Sequence, residues 1–404
     1  MLAENNINQK NVAKLIKNYE PDYIYLPSNN ELILKNFKLI EKYNKFRLIK
    51  NLKSIKKKFN KNLSLLLSTS GSTGSPKFVR ISHENLLFNT LSIVESLKIK
   101  SSHKAISTLP LNYTYGLSVI NTHLFVGATI VLTENNILTK NFWFLLRKVG
   151  VTSLAGVPYI YEILNKLNLF KMHLPNLKYL TQAGGKLDNE FIIKFAKYCL
   201  KNKKKFIVMY GQVEATARIS YLPFKKIFKK TGSIGKPLKN CKIEIWDKDG
   251  SKILKPNTNG ELVFYGKNVS LGYAENYSDL NKGDHNKGVL KTGDNVFKDR
   301  DGFYYIIGRN DRFSKLYGKR INLDDIDKEI RNFGYESSTF ITNNKIYIFT
   351  VFNNKKNQNS INSIKNKIAD FLQINSNFIY IKKIKNLPRN NYGKILYNEL
   401  FEKI

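Results

Sequence analysis

From about residue 63 to residue 210 the chain alternates two textures: short uninterrupted apolar runs, and longer stretches in which apolar residues recur every three to four positions. The runs LSLLL (63–67), AISTL (105–109), ATIVLT (128–133), TSLAG (152–156), KYLTQAG (178–184) and FIVMYG (206–211) predict buried strands. The intervening segments 82–98, 114–126, 139–150, 159–167 and 188–200 predict helices. Alternation of this kind predicts a mainly parallel sheet covered by helices. After Cys241 the pattern shortens to KIEIWD, GELVFYG and FYYIIG, strands set off by Gly turns, which predicts a small β subdomain. From about Asp311 a compact α+β tail is expected, with a helix at 323–333, strands near 337–352, a helix at 361–372 and a last helix after Gly393. The predicted fold class is α/β: a large N-terminal domain with mainly parallel sheets covered by helices and a small β subdomain, then a small α+β C-terminal domain.

Composition narrows the classes. The 404 residues suffice for two or three folding units, and 42% hydrophobic with 24% charged residues is ordinary for a globular chain. The opening MLAENNINQKNVAKLIK has no apolar core, so no signal peptide is read there, and no run is long enough to span a bilayer. Cys199 and Cys241 lack metal or redox spacing, and the five histidines show no metal-like spacing, so a reduced cytoplasmic location is expected. The net charge of +36 raises nucleic-acid binding as a possibility. Yet 57 of the 67 basic residues are Lys, and they are scattered along the chain instead of forming one stripe with stacking aromatics. No specific nucleic-acid partner is expected; the surface favours polyanionic small partners. The ten arginines are more informative, because five of them fall in the motifs below (Arg309, Arg312, Arg320 and Arg389) or just after one (Arg218), where a guanidinium fork grips phosphate or carboxylate.

The strongest local motif is STSGSTGSPKF, residues 68–78. It follows one predicted strand and precedes the helix expected from Ser82. Gly71 and Gly74 allow tight turning and bare N–H groups, Ser70, Ser72 and Thr73 add hydroxyl donors, and Lys77 adds charge: a cradle for a polyphosphate. No Gly-Lys-Ser/Thr ends it, which excludes a Walker A loop.

This segment resembles the phosphate-binding loop of the adenylate-forming superfamily, which includes acyl-CoA synthetases and acyl-AMP ligases. LPLNYTYGLS (109–118), TSLAGVPYIYEIL (152–164), TQAGGKL (181–187), MYGQVEAT (209–216), GELVFYGKNVSLGY (260–273), LKTGDN (290–295), GRNDRFSKLYGKRI (308–321) and PRNNYGKI (388–395) follow in that family's order. The resemblance covers roughly residues 60–404, and the ordered set is more specific than any one motif.

The resemblance implies an ATP-dependent ligase that activates a small carboxylic acid as its acyl-adenylate, with Mg2+, and passes it to coenzyme A or the phosphopantetheine of an acyl carrier protein. By the same resemblance Thr69, Ser70, Gly71, Ser72, Thr73, Gly74 and Lys77 hold the phosphates. Tyr210 stacks on adenine, with Gly184, Gly185 and Gly211 nearby. Glu214 holds Mg2+. Asp294 accepts from the ribose hydroxyls, and Arg309 joins it. Lys394 reaches the α-phosphate and the attacking carboxylate, Gly318 leaves room for pantetheine, and Tyr113 and Tyr115, with Tyr159, wall the acyl pocket. The implied domains are 1–309 (large, its N-terminal part abbreviated), a hinge at 310–312 centred on Asp311, and a mobile 313–404. No Ser or Cys nucleophile is needed, since the substrate carboxylate attacks.

Val213 stands where the family has Thr, removing a hydroxyl near the α-phosphate, which lowers the rate unless another donor such as Thr216 compensates. Phe78 stands where the loop commonly has Gly, which stiffens its exit. By the resemblance, amino-acid-activating members carry an Asp in the segment corresponding to 109–118 to pair with the α-amine; none lies there in this chain, which favours an unsubstituted acyl acid. Two other readings stay open: an amino-acid adenylating or amide-forming ligase, and a catalytically weakened nucleotide-binding relative.

Overall fold

The computed structural model describes residues 1, 9–28, 36–53, 58–68, 77–316, 319–342, 344–351, 358–389 and 395–403. Its centre is a seven-stranded sheet. The strands Thr129–Val131, Lys104–Ile106, Ser153–Gly156, Tyr179–Gln182 and Lys205–Tyr210 run parallel in that spatial order, and Ser220–Leu222 and Lys236–Pro237 extend one edge antiparallel. These strands read as continuous apolar runs because helices cover them. Phe142 and Leu146 from Lys140–Val149, Leu164 from Pro158–Lys166 and Phe195 from Asn189–Lys201 close over Leu154, Leu180 and Phe206 in one core.

The strand Leu63–Ser68 does not join that sheet. It pairs antiparallel with Phe78–Ser82, which pairs in turn with Tyr273–Ala274. A parallel neighbour needs a crossover of a dozen or more residues, and the few residues between Ser68 and Phe78 allow only a direct return. The polyphosphate-loop motif therefore joins two paired strands, and a strand intervenes before the helix His83–Leu97. Ser82 begins that helix with a capping box: its Oγ accepts from the Asn85 N–H (3.0 Å) and its own N–H donates to Asn85 Oδ1 (2.9 Å).

Phe78 does more than stiffen a loop exit. It is 2% exposed and meets Tyr19 of the helix Gln9–Tyr19 edge to face, with ring centroids 5.4 Å apart. Arg80, on the same strand, is fully buried, and no carboxylate among the described residues pairs with it directly. Its guanidinium donates to the carbonyls of Leu271 (2.6 Å), Tyr273 (3.1 Å), Lys282 (2.5 Å) and Gly283 (3.0 Å), binding this sheet to residues 271–283.

The β subdomain is an antiparallel sheet of Lys242–Trp246, Gly260–Tyr265, Val289–Lys298 and Tyr304–Arg309. The C-terminal part has its own core of Ile321, Ile326, Ile330, Ile346, Ile348 and Ile368. It pairs Phe313–Leu316 with Lys319–Asn322 and stacks the helices Leu323–Asn332 and Gln358–Leu372 on a sheet of Glu336–Thr342, Lys345–Val351 and Ile379–Ile384. Arg312 staples this part together. It donates to Asp324 (2.8 Å), the Thr339 carbonyl (2.8 Å) and buried Asp327 (2.6 Å), while Ser337 (3.0 Å) and Thr339 (2.7 Å) hydroxyls donate to the other Asp327 oxygen. Among the described residues, no helix is long and apolar enough to cross a membrane.

Candidate functional site

Ligands of open α/β sheets bind outside the carboxyl ends of the parallel strands. Three expected site motifs begin there: Gly184 and Gly185 follow Tyr179–Gln182, Tyr210 closes Lys205–Tyr210, and Glu214 follows in the turn Val213–Ala215. Asp294 and Arg309 arrive from paired strands of the β subdomain, directly opposite each other. Asp294 is 7% exposed, accepts the Tyr210 hydroxyl hydrogen and lies 3.8 Å from Arg309 Nε. Burial first, and the Asp294 carboxylate next, push the Tyr210 phenol well above its usual range, so it stays a donor. A ring, a buried carboxylate and a half-exposed guanidinium thus share one corner.

Gly184 has φ +83, and a Cβ there would stand 2.2 Å from the Tyr113 hydroxyl, so only glycine fits this approach. Gly185 O accepts from Gln182 Nε2 at 2.8 Å. Gly211 is just as constrained, since its Cβ would meet the Ala217 carbonyl oxygen at 1.8 Å. Glu214 accepts from the Tyr273 hydroxyl at 2.9 Å through Oε1; its second carboxylate oxygen takes no hydrogen bond from the described residues. One carboxylate on an open turn suits a hard cation that enters with the phosphates and keeps most of its own water. Tyr273 sits in the expected motif, but nothing in the sequence marked it as the partner of Glu214.

Lys77 pairs with Glu275 at 3.1 Å, both half-exposed. Tyr115 is 4% exposed, and its hydroxyl is bonded to Thr181 O (2.9 Å) and Oγ1 (2.7 Å). Its ring centre lies 6.5 Å from that of Tyr113. Tyr159, by contrast, is exposed on the helix Pro158–Lys166. Thr216 does not replace the hydroxyl missing at Val213: its Oγ1 donates to Asn268 O at 2.7 Å. Asp311 falls in the turn Asn310–Arg312, its side chain outside what is described, and Thr69, Ser70, Gly71, Ser72, Thr73, Gly74, Gly318 and Lys394 lie outside the described residues. Arg389 and Ile395, on either side of the Lys394 segment, form an antiparallel bridge, and the Arg389 guanidinium reaches Glu336 at 3.3 Å. The C-terminal part touches the large domain through Arg331 and Asp188, 3.2 Å apart. Nearby, burial first and Glu336 next raise the Glu162 carboxyl, while Arg389 and Arg331 oppose the shift.

A helix-covered parallel sheet with an aromatic, acidic and basic corner at its carboxyl ends is an open α/β fold whose ligand side lies at the strand ends. The profile of the AMP-binding enzyme family matches residues 12–274, and the chain belongs to that family. It is 30% identical over 298 residues to the D-alanine–D-alanyl carrier protein ligase of Lacticaseibacillus casei, an overlap of 69% of this chain and 57% of that protein. It is 29% identical over 245 residues to the 2-succinylbenzoate–CoA ligase of Bacillus licheniformis, covering 60% and 49%. The chain thus spans about half the length of the curated relatives it matches. Among solved structures, the O-succinylbenzoate coenzyme A synthetase of Bacillus subtilis in complex with AMP shares the fold, with a TM-score of 0.69 at 22% identity over 85% of this chain and 70% of that one.

Proposed function

We propose that the chain is an ATP-dependent, AMP-forming ligase that activates a carboxylic acid and passes the acyl group to a thiol, of coenzyme A or of a carrier protein. The observation that carries this reading is buried Asp294, held between the Tyr210 hydroxyl and Arg309 outside the strand ends, in a chain of the AMP-binding enzyme family. Adenine stacks on Tyr210 beside Gly184, Gly185 and Gly211, the ribose hydroxyls donate to Asp294, and Lys77 with residues 69–74 holds the phosphates. Glu214 holds Mg2+, which supplies charge neutralisation on the triphosphate. The substrate carboxylate attacks the α-phosphorus, the bond to pyrophosphate breaks, and Lys394 offsets the charge that develops. The thiolate then attacks the acyl carbon and AMP leaves. Residues 310–312 act as the hinge on which 313–404 turns between these half-reactions, bringing Lys394 or Gly318 to the site.

The test is pyrophosphate release over a broad panel of acids, with coenzyme A and a carrier protein offered separately. Release with at least one acid is expected; ATP binding with no release for any acid would overturn the reading. That second outcome would favour a nucleotide-binding relative with weakened catalysis. Val213, together with a Thr216 hydroxyl already given to Asn268, speaks for it.

A further inference from the structure

Arg218 follows the site turn, and the backbone just before it is strained. Thr216 has φ 53 and Ala217 φ 117, both in the left-handed region that side chains rarely adopt. Asn89 Nδ2 (3.0 Å) and Asn268 Nδ2 (2.9 Å) hold the Arg218 carbonyl, so the residue is fixed where it stands. Its side chain is 2% exposed, and the guanidinium lies 4.8 Å over the Tyr115 ring. Among the described residues no carboxylate comes within ion-pair distance, and Nε has no hydrogen-bond acceptor. The only acids whose side chains lie outside the described residues are Glu4, Glu31 and Asp311; the segments 69–76, 317–318 and 390–394 contain none.

A buried guanidinium keeps its charge and loses much of its hydration, so such groups are normally paired. Arg80 shows how this chain satisfies one structurally, with four carbonyl acceptors. Arg218 has no such set, and one tyrosine face is a weak substitute for an anion. Burial lowers the tendency of Arg218 to hold its proton, and Tyr115 and Tyr113 oppose that shift. The Arg218 guanidinium faces the Tyr115 ring, whose centre lies 6.5 Å from that of Tyr113, and the Tyr113 hydroxyl in turn approaches Gly184. A cation beside this pair of rings repels an α-amine and attracts an anion.

We propose that the acid carries a second carboxylate, which Arg218 takes as its missing partner while the first carboxylate attacks ATP. The inference rests on the ligase reading above and names its substrate class: dicarboxylic acids. Arg218 is then a specificity-determining residue.

The experiment measures pyrophosphate release by the full chain with ATP and Mg2+, offering a series of dicarboxylic acids, each beside its half methyl ester. Wild type should prefer a diacid to its half ester by roughly 100-fold in kcat/KM, the range of a lost charge-assisted hydrogen-bonded pair. Arg218→Met should erase that preference, mainly through KM for the diacid, and Arg218→Lys should restore part of it. Equal or better use of the half esters by wild type would overturn the inference, as would a diacid preference that survives in Arg218→Met. The wild-type comparison needs no variant, so misfolding of Arg218→Met leaves the test decisive. Release with half esters alone removes this inference and leaves the ligase reading standing; no release with any acid removes both.

Discussion

Arg312 is the residue whose loss has the most calculable effect. Replacing it with Met keeps apolar bulk beside the Tyr397 ring, over which the guanidinium now sits at 5.0 Å, and deletes its hydrogen bonds to Asp324, Thr339 O and Asp327. Asp324 is half-exposed and rehydrates, but Asp327 is 8% exposed and does not. Breaking one side of a buried ion pair costs about 3–5 kcal/mol, or roughly two to three and a half decades in an opening equilibrium. The assay is native-state hydrogen exchange. Amides of Leu323–Asn332 and Glu336–Thr342 should exchange faster by about that factor, while the central sheet is unchanged. The penalty should also depend on pH. Burial pushes the Asp327 carboxyl up, and Arg312 is the main opposing influence. Without Arg312 the folded-state pKa rises further above the unfolded value, so the folded state binds the extra proton between the two. The variant is then least stable above the raised folded value, and it recovers as pH falls toward the ordinary carboxylate range. A change under tenfold, or one spread evenly over both parts, would refute this account.

Asp294→Ala should weaken ATP binding by about 10–100-fold, read by titration calorimetry, because it removes a buried acceptor in a polar corner; Tyr210→Phe should keep the stacking and lose only a few-fold. Unchanged affinity in Asp294→Ala would dismiss the ribose assignment. Gly184→Ala should lower stability by about 1–3 kcal/mol in urea melts, with part of the loss returned by Tyr113→Phe, because the clash is with the Tyr113 hydroxyl. Additive losses would mean the contact is not what constrains Gly184. Lys394→Ala should abolish adenylation and spare transfer from preformed acyl-AMP, and Gly318→Leu should do the reverse; equal loss of both half-reactions in either variant would contradict a turning C-terminal part.

The parallel strands were legible because burial on both faces leaves an uninterrupted apolar run, as in Lys205–Tyr210 and Tyr179–Gln182. That signal is blind to the neighbour's direction, which is why Leu63–Ser68 reads like the others yet pairs antiparallel with Phe78–Ser82. The candidate corner was legible through motif order, not through residue chemistry: a turn aspartate such as Asp294 stands out only when Tyr210 and Arg309 meet it. Long-range partners left no local trace. Nothing near Phe78 announces Tyr19, nothing near Arg80 announces four carbonyls some two hundred residues away, and the commitment of the Thr216 hydroxyl to Asn268 is visible only in three dimensions.

The contact between Arg331 and Asp188 joins two side chains that are each about half open to solvent, at 54% and 50%. Such an exposed pair contributes at most about 1 kcal/mol, and salt weakens it. It is a latch, not a weld. Salt alone should loosen the C-terminal part from this face without disturbing either core, so ionic strength becomes a handle on how often the two parts meet.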